Sequence, residues 1–132
     1  MKAPAIYEFD AIIAGAGPAG SSAAIILGEA GKKILLLDRS SFPRDKTCGD
    51  GLTFKCIEPL RRLGALERFI EKVQFYSHGY SLFFSDYSEL TVRRTMNESE
   101  YFVYVLPRFV FDNLLLQRAL EFPSVTSYRK SR

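Results

Sequence analysis

The run Gly15-Ala16-Gly17-Pro18-Ala19-Gly20, a G-x-G-x-x-G motif set between two apolar stretches, constrains this chain's fold more than any other feature. Before it lies "EFDAIIA", Glu8 to Ala14, short and rich in branched residues, which reads as a buried parallel strand. After it, Ser21 to Ala30 is small and apolar with good helix formers, and Gly31 stands where a C′ glycine ends a helix. Lys32 to Asp38, "KKILLLD", reads as a second buried strand. Strand, helix and strand on short connections predict a β-α-β unit with parallel strands and a right-handed crossover.

Each glycine then has its own role. Gly15 allows the tight turn, Gly17 lets the backbone approach a pyrophosphate, and Gly20 lets helix and strand pack closely. Free N–H groups at the helix start face the phosphates, helped by the helix dipole. Asp38 stands 18 residues past Gly20, at the end of the second strand. A carboxylate there accepts hydrogen bonds from ribose hydroxyls and disfavours a 2′-phosphate. Motif, flanking elements and Asp38 together predict an adenine-dinucleotide site, with FAD and NAD both open at this point.

Composition excludes several other classes. At 132 residues, 47% hydrophobic and 25% charged, the chain is long and apolar enough for one globular domain and is not a disordered segment. A net charge of +3 is too mild to argue for nucleic acid. No apolar run reaches the length of a membrane span. The two cysteines, Cys48 and Cys56, form no C-x-x-C, and the lone His78 lacks a ligand partner, so no metal site is predicted. Met1 to Asp10 has no apolar signal core, which predicts a cytoplasmic chain with reduced thiols.

Downstream, Asp38 to Gly51 is a polar loop, and Leu52 to Leu63 reads as helical with Pro59 marking a break or a fresh start. Gly64 punctuates, and Ala65 to Lys72 adds a further helical turn or two. From Gln74 the segments "QFYSHGYSLFFSD", "SELTVRR" and "EYFVYVL" predict antiparallel strands, with Asn97-Glu98-Ser99 as a turn. Phe75, Tyr76, Tyr80, Phe83 and Phe84 read as sheet core, Cys56 as core, and His78 as a residue without chemistry. Pro107 opens a helix whose apolar face is Val110, Phe111, Leu114, Leu115 and Ala119. Phe122-Pro123 closes it.

The loop "RDKTCGDG", Arg44 to Gly51, is unusual for a mere connection. Arg44 and Lys46 beside Cys48 favour its thiolate. Gly49 and Gly51 allow close backbone approach to a flat ring system. The plainer alternatives are Cys48 as a small buried filler and Arg108 as an i,i+4 partner of Asp112.

Together, "DAIIAGAGPAGSSAA", "LLLDRSSFPRDKTCGDGLT" and "PRFVFDNLLLQRA" resemble the FAD-dependent geranylgeranyl reductase family, within the wider flavoprotein monooxygenase-like oxidoreductases. The stretch Pro43 to Gly51, matching P-x-x-K-x-C-G-x-G, is the most specific part, while the glycine motif and the R-x-x-F-D-x-x-L pattern from Arg108 are shared across the wider group. The resemblance implies a Rossmann-like α/β FAD-binding domain and noncovalent FAD. It implies hydride transfer from reduced flavin to a carbon–carbon double bond of an isoprenoid chain. Substrates in such a family are geranylgeranyl lipids, geranylgeranyl diphosphate or chlorophyll, and the menaquinone side chain. NAD(P)H or ferredoxin is the implied electron donor, and a lipid substrate implies peripheral contact with a membrane.

By the same resemblance, Gly15, Gly17, Pro18, Ala19 and Gly20 hold the pyrophosphate, Asp38 the adenosine ribose, and Arg39 lies near the adenine end. Arg44, Cys48, Gly49, Asp50 and Gly51 run towards the isoalloxazine, with Cys48 as the catalytic residue, and Arg108 reaches back to the FAD. Residues 1–132 would be the N-terminal portion of the FAD/NAD(P)-binding domain, with substrate-domain strands beginning at about 73–106. Members of this family continue past a helix like 107–121 with more sheet strands, of which "SVTSY" would be the beginning, and a further Gly-Asp segment, so a fragment of a longer reductase is expected. Two alternatives stay open: an FAD-dependent monooxygenase-like enzyme (an aromatic hydroxylase or halogenase) and a non-catalytic dinucleotide-binding module. "CGDG" and the lack of tryptophan weigh against a halogenase.

Overall fold

Three strands, β1 (Ala11–Ala14), β2 (Ile34–Asp38) and β8 (Val125–Arg129), form a parallel sheet in the order β1-β2-β8. The structure is a computed structural model that describes residues 7–93 and 101–129. The turn expected at Asn97-Glu98-Ser99 lies outside the described residues. Register aligns Ala11 with Ile34 and Val125, and Ile13 with Leu36 and Ser127. Because side chains alternate along a strand, these positions share one face. That face is the core: Ile34 and Leu36 are fully buried, and Val125 is buried beside them.

Helix α1 (Pro18–Glu29) crosses from β1 to β2 and turns Ser21, Ala24, Ile25 and Gly28 inward, a helical spacing of three and four. It starts at Pro18, three residues before the expected Ser21. Gly17 is the extended N-cap, and proline suits the first helical position because its φ is preset and its missing N–H is not needed there. Gly31, at φ +72°, closes the helix as expected of a C′ glycine. Helix α4 (Arg108–Ala119) packs along α1 and buries Phe111, Leu114, Leu115, Leu116 and Ala119. Pro107 is its N-cap and stands just outside the first turn. "SVTSY" is realised as part of β8.

The opposite face of the parallel sheet carries Ile12, Leu35, Leu37 and Tyr128, and Ile12 and Tyr128 are exposed. Two-sided burial of these strands is therefore corrected: among the described residues only one face is covered.

Between β2 and α4 the chain builds a second, antiparallel sheet. Strand β3 (Gly51–Thr53) and β4 (Phe75–Ser77) flank β7 (Val103–Val105). The expected helix at Leu52–Leu63 is thus partly a strand. Leu52 pairs with Tyr104, a 3-10 turn covers Phe54–Cys56, and α2 runs only from Ile57 to Arg62. Pro59 sits in the first turn of α2, where no intrahelical N–H bond is lost, so it marks the fresh start and not a break. Helix α3 (Leu66–Lys72) follows, and its fully buried Phe69 packs edge-on against Tyr104 and Phe111 at 5.6 and 6.1 Å. β5 (Gly79–Phe83) and β6 (Glu89–Arg93) make a separate hairpin.

The aromatic residues of this region are not core. Phe75 is 69% and Phe83 75% exposed, and Tyr76, Tyr80 and Phe84 are also exposed, because the hairpin and β4 have no layer against them among the described residues. Cys56 is half-buried against the core edge. His78 is exposed and lies 5.1 Å from the Tyr101 ring.

Alternation along β2 gives a direct check on which face is the core. Leu36→Ala is expected to lower the unfolding free energy by about 2–5 kcal/mol, and Leu35→Ala, on the open face, by clearly less. Urea denaturation of the two variants beside the parent chain measures the difference.

Candidate functional site

The glycine motif forms the turn between β1 and α1, and its geometry requires glycine at two positions. Gly15 has φ +107°, a region unfavourable to side chains, and its N–H donates to the Leu37 carbonyl at 2.7 Å. A Cβ at Gly20 would lie 1.8 Å from the Gly15 carbonyl oxygen, so helix and turn meet backbone to backbone. Inside the turn, the buried Ser21 hydroxyl donates to the Ala16 carbonyl at 3.0 Å. The N–H groups of the first helical turn have no intrahelical acceptor and face outward with the positive end of the helix dipole.

Asp38, at the C-terminal end of β2, closes this turn from the other side. Its Oδ2 accepts from the Ala16 N–H at 2.7 Å and its Oδ1 from the Ser40 N–H at 2.8 Å. Each oxygen keeps a lone pair for a further donor. The carboxylate is therefore fixed in place and still able to bind hydroxyls.

A groove of about 900 Å³ opens over these groups. Its walls include Gly15, Gly17, Pro18, Ala19, Gly20, Asp38, Arg39, Arg44 and Arg108. Lys46 and Asp45 also line it, giving four cations against two carboxylates. Nine of the predicted site residues are thus brought together. Cys48, Gly49, Asp50 and Gly51 are not part of its walls. Cys48 is exposed, which overturns its reading as a buried filler. It is an electrostatic neighbour of the Arg108 guanidinium. Neither Gly49 nor Gly51 has a neighbour that would crowd a side chain, so the space observed does not demand glycine at either.

Asp50 has a structural task. At φ +55°, its carbonyl accepts from the Leu106 N–H at 3.0 Å, and its Oδ1 accepts from the Arg108 N–H at 3.1 Å. The side chain satisfies a first-turn donor of α4 and puts negative charge at that helix's N-terminus. The loop from Arg44 to Gly51 is in this way fastened to α4.

Asp112, absent from the predicted site, lies behind the groove. It is fully buried, and both its oxygens bind arginine. Arg108 donates Nε to Oδ1 at 2.5 Å and Nη2 to Oδ2 at 2.7 Å, and Arg44 Nη2 approaches Oδ2 at 3.1 Å. The i,i+4 pairing of Arg108 with Asp112 is real, and Arg108 lines the groove as well. The hydrogen bonds that Arg108 donates to Asp112, with a smaller contribution from Cys48, hold its guanidinium more firmly protonated than usual, against the opposing effect of burial. Arg44 lies 4.9 Å from the Phe42 ring centroid. Its Nη1 is buried and has no hydrogen-bond partner among the described residues. In the sequence, the one sign of Asp112 was its four-residue spacing from Arg108.

The fold and the groove now have counterparts in known proteins. Residues 8–132 match the family model described as an FAD binding domain. The chain belongs to this FAD-binding domain family. A 55-residue segment is 51% identical to menaquinone reductase of Mycolicibacterium smegmatis, covering 42% of this chain and 13% of that one. Over 118 residues it is 34% identical to digeranylgeranylglycerophospholipid reductase 1 of Methanopyrus kandleri, covering 86% of this chain and 28% of that one. The solved structure of the myxobacterial chondrochloren halogenase, an FAD-dependent halogenase, superposes with a TM-score of 0.79 at 26% identity, covering 92% of this chain and 28% of that one. The chain therefore spans well under a third of these relatives' length.

The family's cofactor is FAD, and the residues present fit it. The groove offers a glycine turn without side chains, a fixed carboxylate at Asp38 and a surplus of cations that includes Arg44. The earlier choice between FAD and NAD is settled by the family and not by the glycines. Among the described residues no helix is long and apolar enough to cross a membrane, and no cluster of potential metal ligands is present.

The two thiols should separate cleanly by reactivity. Burial pushes the Cys56 thiol up to about 11. In a disulfide-exchange titration near neutral pH, about one equivalent is expected to react quickly, and Cys48→Ala should remove it. Reaction of Cys56 is expected to rise only as pH approaches its raised value.

Proposed function

We propose that this chain is the FAD-binding part of a geranylgeranyl-reductase-type oxidoreductase that reduces isoprenoid carbon–carbon double bonds. The observation carrying the proposal is the fastening of the "CGDG" loop to α4 through Asp50, whose Oδ1 accepts from the N–H of Arg108, a wall residue of the cationic groove. The likenesses to menaquinone reductase and to digeranylgeranylglycerophospholipid reductase support a prenyl substrate. Bound FAD would supply the hydride.

In this reading the turn from Gly15 to Gly20 and Arg44 hold the pyrophosphate, and Asp38 holds the adenosine ribose through its free lone pairs. Arg39 lies at the adenine end and Arg108 near the flavin. Cys48, carried with Gly49, Asp50 and Gly51, orients the reacting face or handles the proton that completes the reduction. Strands within about 73–106 contribute to the substrate-facing region, with their exposed aromatic side chains towards a prenyl chain. The electron donor is NAD(P)H or ferredoxin, and the enzyme works in the cytoplasm, at the membrane periphery where its lipid substrate lies.

A second reading is an FAD-dependent halogenase or hydroxylase, favoured by the extent of the likeness to the chondrochloren halogenase. Product analysis separates the two: a saturated prenyl chain supports the reductase, and a halogenated or hydroxylated aromatic product supports the alternative.

The cofactor assignment has its own test in binding. Asp38→Ala removes the ribose acceptor and also the partner of the Ala16 N–H, so FAD affinity is expected to fall roughly tenfold or more. Flavin absorbance and fluorescence titrations of the two proteins read the change. Equal affinity would overturn the assignment of Asp38.

A further inference from the structure

We infer that Asp112 is a positioning residue that sets Arg44, held beside Arg108, for the FAD pyrophosphate; the inference rests on the FAD-site reading above. Asp112 itself does not line the groove, whereas both arginines that it binds do.

The geometry argues for more than a structural ion pair. Arg108 already satisfies the carboxylate in a bidentate fork, the strong form of such a pair. Arg44 is a second guanidinium on the same buried acid, so the cluster keeps a net positive charge. Its side chain is 16% exposed, and its Nη1 has no partner among the described residues. A buried, charged donor without an acceptor is costly, and an incoming anion removes that cost.

The cluster also sits where an anion would arrive. A Cβ at Gly17 would lie 3.3 Å from Arg44 Nη2, 3.9 Å from Asp112 Oδ2 and 4.0 Å from Arg108 Nη2. Gly17 is the N-cap of α1, so the guanidiniums and the helix's unbonded N–H groups converge on one spot. Phe42 lies against the Arg44 guanidinium and restricts its alternatives. Loss of the Asp112 charge frees both long side chains, and the phosphate site then has to order them on binding.

The test compares ligands with and without phosphates on the full chain, using ADP and adenosine in isothermal titration calorimetry. Asp112→Asn is expected to weaken ADP roughly tenfold or more and to leave adenosine within about twofold, because one or more charge-assisted bonds are lost only to the phosphates. Arg44→Met should reproduce that pattern, and the double variant should lose little beyond either single one. An equal loss for ADP and adenosine in Asp112→Asn would mean a purely structural role and overturn the inference, as would no loss at all. Where Asp112→Asn does not fold, Arg44→Met decides: unchanged ADP affinity removes what Asp112 is supposed to position. A parent chain that binds neither ligand defeats the FAD reading itself, a result distinct from any of these.

Discussion

The structure turns on one backbone-to-backbone contact. Gly20 comes so close to the Gly15 carbonyl that no side chain can stand between them. This contact lets α1 begin directly at the end of β1 and fixes its direction over the sheet. From that direction follow the burial of Ala24 and Ile25 over Ile34 and Leu36, and the seat of α4 along α1. The same contact leaves the first N–H groups of α1 without side-chain cover and facing the groove. One steric constraint thus serves both the packing of the core and the recognition of phosphate.

Electrostatics adds a second level. The groove has two fixed carboxylates with opposite tasks. Asp38 stands at the rim, held by the Ala16 and Ser40 N–H groups, and has acceptor capacity to spare. Asp112 stands behind the wall and has spent its capacity on two arginines. In the proposed FAD site, the carboxylate at the surface of the groove would take hydroxyls, while the one behind it would aim cations. Four cations around two acids at the walls give the groove the sign that a dinucleotide needs.

Local signals were legible where one segment decides its own structure. The β-α-β unit, the Gly31 stop and the α4 face follow from periodicity and punctuation, the strand after Pro123 from the family resemblance, and the structure has them. Where a distant partner decides, the reading failed. Leu52 is apolar and followed by helix formers, yet it pairs with Tyr104 because β7 supplies a ladder to bind. Phe75 and Phe83 have the composition of sheet core, but burial needs a covering layer, which composition does not specify. The bond of Asp50 to the Arg108 N–H went unread because that partner is 58 residues away. Asp112 was visible as a pair with Arg108, while the approach of Arg44 from another loop was not.

The Asp50 attachment has a mechanical consequence. Cys48 is two residues from an anchored carboxylate, and Arg108 is the residue that carboxylate anchors. Loop and helix therefore behave as one rigid arm at this end of the groove. A movement of α4 along α1 would carry the thiol and the guanidinium together, preserving their spacing while shifting both relative to the Gly15–Gly20 turn. Because Arg44 too is tied to α4 through Asp112, a hinge that widens the groove would lie before it, between Asp38 and Pro43, and not between the two groups themselves.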